Sequence, residues 1–144
     1  MEKFINLHTH SDYSNFRLRD SINNIKDLID YAIELGHNGI GITEHETIAS
    51  SIDAQKYYKK IKQDNPDFKL VLGNEIYLCR NGLSKDNFVK GSDKYYHFIL
   101  LAKDLEGHKQ IRQLSTRAWD HSYMSFMMRV PTYYSDLQEI IGTN

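Results

Sequence analysis

Cysteine is nearly absent from this 144-residue sequence, in which Cys79 stands alone. One thiol excludes an internal disulfide and suits a reducing compartment, so a cytoplasmic location is expected. No apolar run approaches the length of a membrane span, and the N-terminus lacks a signal-peptide core; no membrane partner is expected. A basic excess is missing too. The 18 Lys and Arg are balanced by 19 Asp and Glu, leaving a formal charge of −1. That balance argues against an independent, sequence-blind nucleic-acid binder. It does not argue against a site where metal ions supply the positive charge that attracts phosphate. Internal repeats and low-complexity tracts are also lacking. What remains, 40% hydrophobic and 26% charged residues, fits one soluble globular domain with a real core.

The first informative stretch is Phe4-Ile-Asn-Leu-His8-Thr-His10, an apolar run ending in two histidines one residue apart. Strand alternation predicts Phe4, Asn6, His8 and His10 on one face and Ile5, Leu7 and Thr9 on the other. A helix follows, capped by Asp20 or Ser21, with Ile22, Ile25, Leu28, Ile29, Ala32 and Ile33 as its apolar face and Gly36 at its C-terminal end. Gly39-Ile-Gly-Ile-Thr43 reads as a strand whose small residues admit a close neighbour, and it runs into Glu44-His45-Glu46. A second helix is expected over 48–63, with Ile48, Ile52, Tyr58 and Ile61 inward, stopping near Asn65-Pro66.

A third strand, Phe68–Leu72, precedes Gly73-Asn-Glu75; residues 80–94 read as a loop. Tyr95–Ala102 is apolar enough for a fourth strand covered on both faces. Asp104 caps a helix to about Trp119 with Ile111, Leu114 and Ala118 on one stripe. Ser122–Arg129 is expected to form a short helix, Pro131 an interruption, and Ser135-Asp-Leu-Gln138 a capping box opening a last helix that ends at Gly142. Alternating strands and helices predict an α/β fold, a parallel sheet or barrel, with functional groups at the C-terminal strand ends. His8, His10, Glu44, His45 and Glu75 all fall at or just after such ends.

Imidazoles mixed with carboxylates suit Zn, Mn or Fe, and this many donors allow a cluster of two or more ions. Such a cluster activates water near neutral pH and clamps the oxygens of a phosphate ester. A Ser-His-Asp triad fits poorly, because no serine lies on a nucleophile-elbow pattern. Glu44 reads as either a ligand or a group that orients a neighbouring histidine. Taken alone, His97 reads as a core histidine, Asp20 as a helix cap and Asp12 as a turn or supporting residue. His37, His108 and His121 read as surface or helix-face residues, and Cys79 as a buried structural thiol.

Four ordered motifs carry a resemblance: His8-Thr-His10-Ser-Asp-Tyr-Ser14, Gly41-Ile-Thr-Glu44-His45, Leu72-Gly-Asn-Glu75 and His97-Phe-Ile-Leu-Leu-Ala-Lys103. Together they resemble the PHP (polymerase and histidinol phosphatase) domain, and more closely the one at the N-terminus of the bacterial or phage-type DNA polymerase III α subunit. The resemblance implies a partial distorted (β/α)7 TIM-like barrel, about the first four strands with their helices. It implies a multinuclear site of two or three divalent ions (Zn, Mn or Fe) held by His8, His10, Asp20, His45, Glu75 and His97. Of these, His8, His10, His45, Glu75 and His97 would carry the chemistry. Glu44 departs from the family's usual aspartate, and the loop before Asp20 is longer than usual.

The family's later ligands, a cysteine and an Asp-x-His pair, would lie beyond Asn144, so residues 1–144 are expected to be the N-terminal portion of one PHP domain. An uncovered strand edge then predicts instability or self-association. The implied activity is metal-dependent phosphoester hydrolysis, as a 3′→5′ exonuclease or pyrophosphatase. DNA and nucleotides, the rest of the α chain and other replisome subunits are the implied partners. The alternatives are a structural or partner-docking module of the polymerase and a free-standing histidinol-phosphatase-like enzyme. A barrel amidohydrolase also begins with His-x-His but would need a bridging lysine, for which there is no good candidate.

Overall fold

The computed structural model describes residues 4–142. Strand β1 (Ile5–Thr9) leads through a short 3-10 helix (Asp12–Phe16) to helix α1 (Ile25–Glu34). Strand β2 (Gly39–Ile42), helix α2 (Ser51–Ile61), strand β3 (Lys69–Cys79) and strand β4 (Tyr96–Leu101) follow. The C-terminal third holds helix α3 (Leu105–Asp120), the short strands β5 (Tyr123–Met124), β6 (Met128–Arg129) and β7 (Pro131–Tyr133), and helix α4 (Tyr134–Ile140). The main sheet runs β1-β2-β3-β4, with β7 also on β3. β1, β2 and the first half of β3 are parallel, as α/β alternation requires. Among the described residues, no helix is long and apolar enough to cross a membrane.

The sheet has two unlike faces. Ile40, Ile42, Leu70 and Leu72 point toward α1 and α2, where Ile25, Ile29, Ala32 and Ala54 are buried. Ile76 and Leu78 continue that face under Leu114 of α3. Fully burying side chains of this size contributes about 1.5–3 kcal/mol each. The opposite face carries Gly41, Gly73, Glu75 and Tyr77. Gly41 admits the close neighbour its size predicts: a Cβ there would lie 2.9 Å from the Leu7 Cα.

β1 departs from simple alternation. Asn6 pairs with Ile40 and Thr9 with Ile42, so β1 holds one residue more than β2 over this interval. This bulge breaks the phase between Asn6 and His8, and it turns His8 and His10 onto the face that carries Gly41 and Glu75. Regular alternation would have sent both histidines into the apolar layer under the helices.

Several local expectations are corrected. Asn24, not Asp20 or Ser21, caps α1 through the Asp27 N–H, and Ile22 is 96% exposed. Gly36 does take the positive φ of 75° that ends the helix. Ile52 faces solvent while Ala54 is buried. β3 does not stop at Leu72 but runs on to Cys79, 11 residues in all, because β4 pairs antiparallel with its second half. β4 is therefore not a covered parallel strand, and its Tyr96 and Phe98 are exposed. Ser122–Arg129 is a two-stranded hairpin rather than a helix. Pro131 opens β7, where its missing N–H is tolerated. The Ser135–Gln138 capping box does not form: α4 starts at Tyr134, and the Ser135 N–H is taken by Asn81 Oδ1. Asp104 caps α3 as expected, accepting from the Gly107 N–H at 2.8 Å.

Candidate metal centre

Glu75 is the hub. It lies within β3 rather than beyond its end, yet it reaches the functional edge because β2 finishes at Ile42 and leaves the rest of β3 alongside the loop after it. There His45 forms an isolated parallel bridge with Glu75. The Glu75 carboxylate is buried beneath four imidazoles. Its Oε2 lies 2.5 Å from His8 Nε2 and 3.2 Å from His10 Nε2. Its Oε1 lies 2.5 Å from His97 Nδ1 and 3.4 Å from His45 Nδ1. His97 arrives because antiparallel β4 starts where β3 ends, pairing His97 with Tyr77. Asp20 closes the group, with Oδ2 3.1 Å from His45 Nε2.

All six residues singled out in the sequence thus come together. The donor atoms of His8, His10 and Glu75 lie within 4.8 Å of one another. The burial is uneven, since the side chains of His8 and His97 are 51% and 59% exposed while that of Glu75 is 1% exposed. The carboxylate forms a floor and the histidines a rim open to solvent.

Glu44 is not part of the donor set. It is buried and accepts from the Ser11 N–H at 2.9 Å, the Ser11 hydroxyl at 2.5 Å and the Ser14 hydroxyl at 2.5 Å. Ser14, having donated its only proton, accepts from the His45 N–H at 3.0 Å and faces His10 Nδ1 at 3.2 Å. The only bond left for Ser14 to make with His10 is to accept, which puts the ring proton on Nδ1 and leaves a lone pair on Nε2. That nitrogen then meets His8 Nε2 at 2.8 Å and the Glu75 carboxylate. Without a metal, His8 Nε2 can donate to that nitrogen or to Glu75; with both imidazoles offering lone pairs, the donor set suits a transition metal. Neither the role of Ser14 nor that of Ser11 was visible in the sequence, where both stand only as members of the first motif.

The charges follow. Burial pushes the Glu75 carboxyl upward, but the neighbouring imidazoles of His10, His45 and His8 outweigh it and hold the group below the ordinary carboxylate range. Burial lowers the His45 imidazole, while Glu75 and then Asp20 more than reverse that, so the net shift is upward. Tyr77, whose ring is 4.3 Å from that of His97, is pushed up to about 12 by burial and the Glu75 and Glu46 charges. It stays a neutral phenol.

Beside the centre lies a pair that sequence patterning did not single out. Arg17 and Glu46 form a buried ion pair, with side chains 1% and 2% exposed, and Arg17 stacks over the Tyr77 ring. Glu46 holds a positive φ of 55°, and its carbonyl accepts from the Trp119 indole at 2.7 Å. Burial against only partial compensation by Arg17 pushes the Glu46 carboxyl up to about 8. Of the remaining candidates, Asp12 is a surface residue of the 3-10 helix. His37 packs edge-on to Phe4, His108 lies by Ser51 and His121 stacks on Tyr133, all outside the cluster. Cys79 is buried and free, its thiol facing the Thr132 carbonyl at 3.6 Å.

Known proteins resemble this chain in sequence and in fold. A Bacillus subtilis (strain 168) protein named as a DNA polymerase, YorL, is 42% identical over 143 residues, covering 96% of this chain and 11% of its own length. The Aquifex aeolicus DNA polymerase III subunit alpha is 28% identical over 95% of this chain and 13% of its own. The chain thus spans about a tenth of the length of these curated relatives. A solved structure described as a metal-dependent phosphoesterase, from Bifidobacterium adolescentis, superposes with a TM-score of 0.51 at 17% identity, over 83% of this chain and 36% of the other. That likeness shows the fold, an α/β arrangement corresponding to part of a TIM-like barrel. The PHP domain profile matches residues 6–142, nearly the whole sequence. By fold and by sequence alike, this chain belongs to the PHP domain family.

Proposed function

We propose that the chain is the N-terminal portion of the PHP domain of a DNA polymerase III α-type protein, and that its histidine–glutamate centre holds divalent metal ions for phosphoester hydrolysis. One observation carries the reading: donor atoms from β1, the loop after β2, β3 and β4 converge on the single buried carboxylate of Glu75. His8, His10 and Glu75 would hold one ion; His45 and His97, which also face Glu75, would add donors for another, with Asp20 on the far side of the His45 ring. Bound there, such ions supply Lewis acidity and activate water.

The residues of the chain do the rest. Glu44 and Ser14 keep the His10 proton on Nδ1, away from the site. The Tyr77 phenol, neutral and next to His97, is available to donate to an anionic oxygen. The exposed His8 and His97 rims leave the centre open to a substrate the size of a DNA 3′ end, which supports 3′→5′ exonuclease over a closed small-molecule pocket. DNA and the remainder of the polymerase chain are the partners this reading names.

Elemental analysis of the purified chain, before and after dialysis against chelator, tests the centre. Near-stoichiometric Zn, Mn or Fe that is lost in a His8→Ala/His10→Ala double variant is expected. Metal-dependent cleavage of bis(p-nitrophenyl) phosphate and of single-stranded DNA should disappear with it. Retention of metal and activity in the double variant sinks the reading.

A second reading has one observation in its favour: the donors tie together four separate segments of the sheet, so metal would also brace the fold. Chelator that unfolds the protein, with no hydrolysis under any metal, favours this bracing role alone.

A further inference from the structure

A cavity of about 520 Å³ lies between the 80–94 loop and the β5–β6 hairpin, at the start of the strand that carries His97. Its walls are aromatic and basic: Phe88, Tyr95 and Phe126 with Lys85, Lys90 and Arg129, and no carboxylate among the lining residues. Three cations gathered in one place are notable in a chain of net charge −1. The planar groups are ordered. The Phe88 and Tyr95 rings lie 6.3 Å apart and 12° from parallel. The Arg129 guanidinium sits 5.1 Å from the centre of the Tyr95 ring and 4.8 Å from that of Phe126. Phe126 is 83% exposed and Phe88 42% exposed, so these rings present open faces instead of filling a core.

The loop is held in place although it has no regular structure. Arg80 grips Asp93 through Nε at 2.6 Å and Nη2 at 3.1 Å, and it also donates to the Asn87 carbonyl at 2.8 Å. Asp93 in turn accepts from the Val89 N–H at 2.7 Å. Phe88 and its flanking lysines are thereby positioned before any ligand arrives, which lowers the cost of binding. On the far wall, the Tyr95 and Tyr123 hydroxyls are in contact and join the loop to the hairpin.

We propose that this cavity is a binding subsite for single-stranded DNA, where a base stacks on Phe126 and the flanking phosphates meet Lys85, Lys90 and Arg129. Open aromatic faces accept any base, and interleaved cations track a phosphate chain; that combination is how single strands are bound without sequence preference. A duplex keeps its bases stacked on one another and cannot use the rings. Tyr95 stands two residues before His97, so an extended backbone puts the subsite about 7 Å along the chain from a residue of the metal centre. A strand held here would be delivered end-first to the histidines. The inference deepens the hydrolytic reading by naming its substrate class and rests on it for the direction of the strand; the binding itself stands apart from the metals.

The test is fluorescence anisotropy of a labelled oligo(dT) with the 144-residue chain in the presence of chelator, against a duplex of equal length. Single-strand binding that exceeds duplex binding is expected, with log K falling against log salt at a slope of about −2 for three phosphate contacts. Phe126→Leu, which keeps apolar bulk but removes the ring, should weaken binding about 5- to 100-fold, and Phe126→Trp should retain it. Phe126 is mostly exposed, so neither variant threatens folding. Equal affinity for duplex, or an unchanged affinity in Phe126→Leu, overturns the proposal. Bis(p-nitrophenyl) phosphate cleavage by the metal-loaded wild type separates the two readings. Cleavage without ring-dependent strand binding removes the subsite alone, whereas ring-dependent binding without cleavage removes the hydrolytic function and leaves the subsite standing.

Discussion

Replacing Glu44 by Gln isolates what its carboxylate does for the centre without touching a donor atom. The residue is 1% exposed, so solvent cannot substitute for lost partners. Its two oxygens accept three hydrogen bonds, from the Ser11 N–H, the Ser11 hydroxyl and the Ser14 hydroxyl. Glutamine has the same length but one acceptor oxygen. With that oxygen in the Oε1 place it keeps only the Ser11 hydroxyl, and the amide N–H2 faces the Ser11 N–H and Ser14, whose lone pairs are already directed at the His45 N–H and His10 Nδ1. At least one charge-assisted bond is lost, worth about 1.5–3 kcal/mol, and a donor is left poorly matched. The expected cost is about 2–4 kcal/mol, a fall in Tm of about 5–12 °C for a chain of this size. A Ser14 hydroxyl that turns to answer the amide releases His10 Nδ1, the ring is free to change tautomer, and metal affinity should fall about 10- to 100-fold. Urea unfolding of the metal-free protein measures the first number; competition with a chromophoric zinc chelator measures the second. A variant that unfolds within about 0.5 kcal/mol of wild type and binds zinc equally well would falsify this account of how Glu44 acts.

Three further perturbations test other parts of the structure. Arg17→Met leaves Glu46 buried without its partner and should cost about 3–5 kcal/mol, whereas Arg17→Met/Glu46→Leu should recover much of that loss. Strictly additive single effects in urea melts would refute the coupling. Gly41→Ala forces a Cβ against the Leu7 backbone, so β1 must move away from β2. A destabilisation of about 1–3 kcal/mol by denaturant titration is expected, together with a lower metal content as His8 and His10 shift. Burial pushes the Cys79 thiol up to about 12, so at pH 8 it is protonated as well as inaccessible. Iodoacetamide should label it only after urea is added, and fast labelling of the native protein would contradict its burial at the end of β3, beside β7.

Much of the centre was readable because its residues cluster by type. Two histidines one residue apart and Glu44-His45 directly after a glycine-rich strand mark strand ends whatever the register, whereas Glu75 after Gly73 falls inside a longer strand. The helix ends signalled by Asp104 and Gly36 were equally local, since a cap depends on groups within a turn of it. The same logic misplaced the start of α1, where Asp20 and Ser21 are as competent as caps as Asn24. Asp20 is instead drawn off to His45 by a contact 25 residues away in sequence.

The residue types, then, determined that this chain alternates strands with helices and gathers imidazoles and carboxylates at one end of them. Only the tertiary structure decided how they meet. The extra residue in β1 is set by where Asn6 and Thr9 pair on β2, and it alone turns His8 and His10 away from the apolar layer. The antiparallel direction of β4 is set by its pairing with the second half of β3, and it brings the start of the strand, with His97, to Tyr77. Ser122–Arg129 became a hairpin because Tyr123 and Arg129 found partners in Tyr95 and its loop, contacts no periodicity encodes. Side-chain chemistry is carried by each residue alone. Register, strand direction and the facing of two rings across a loop are properties of pairs far apart in the chain, and they exist only once it has folded.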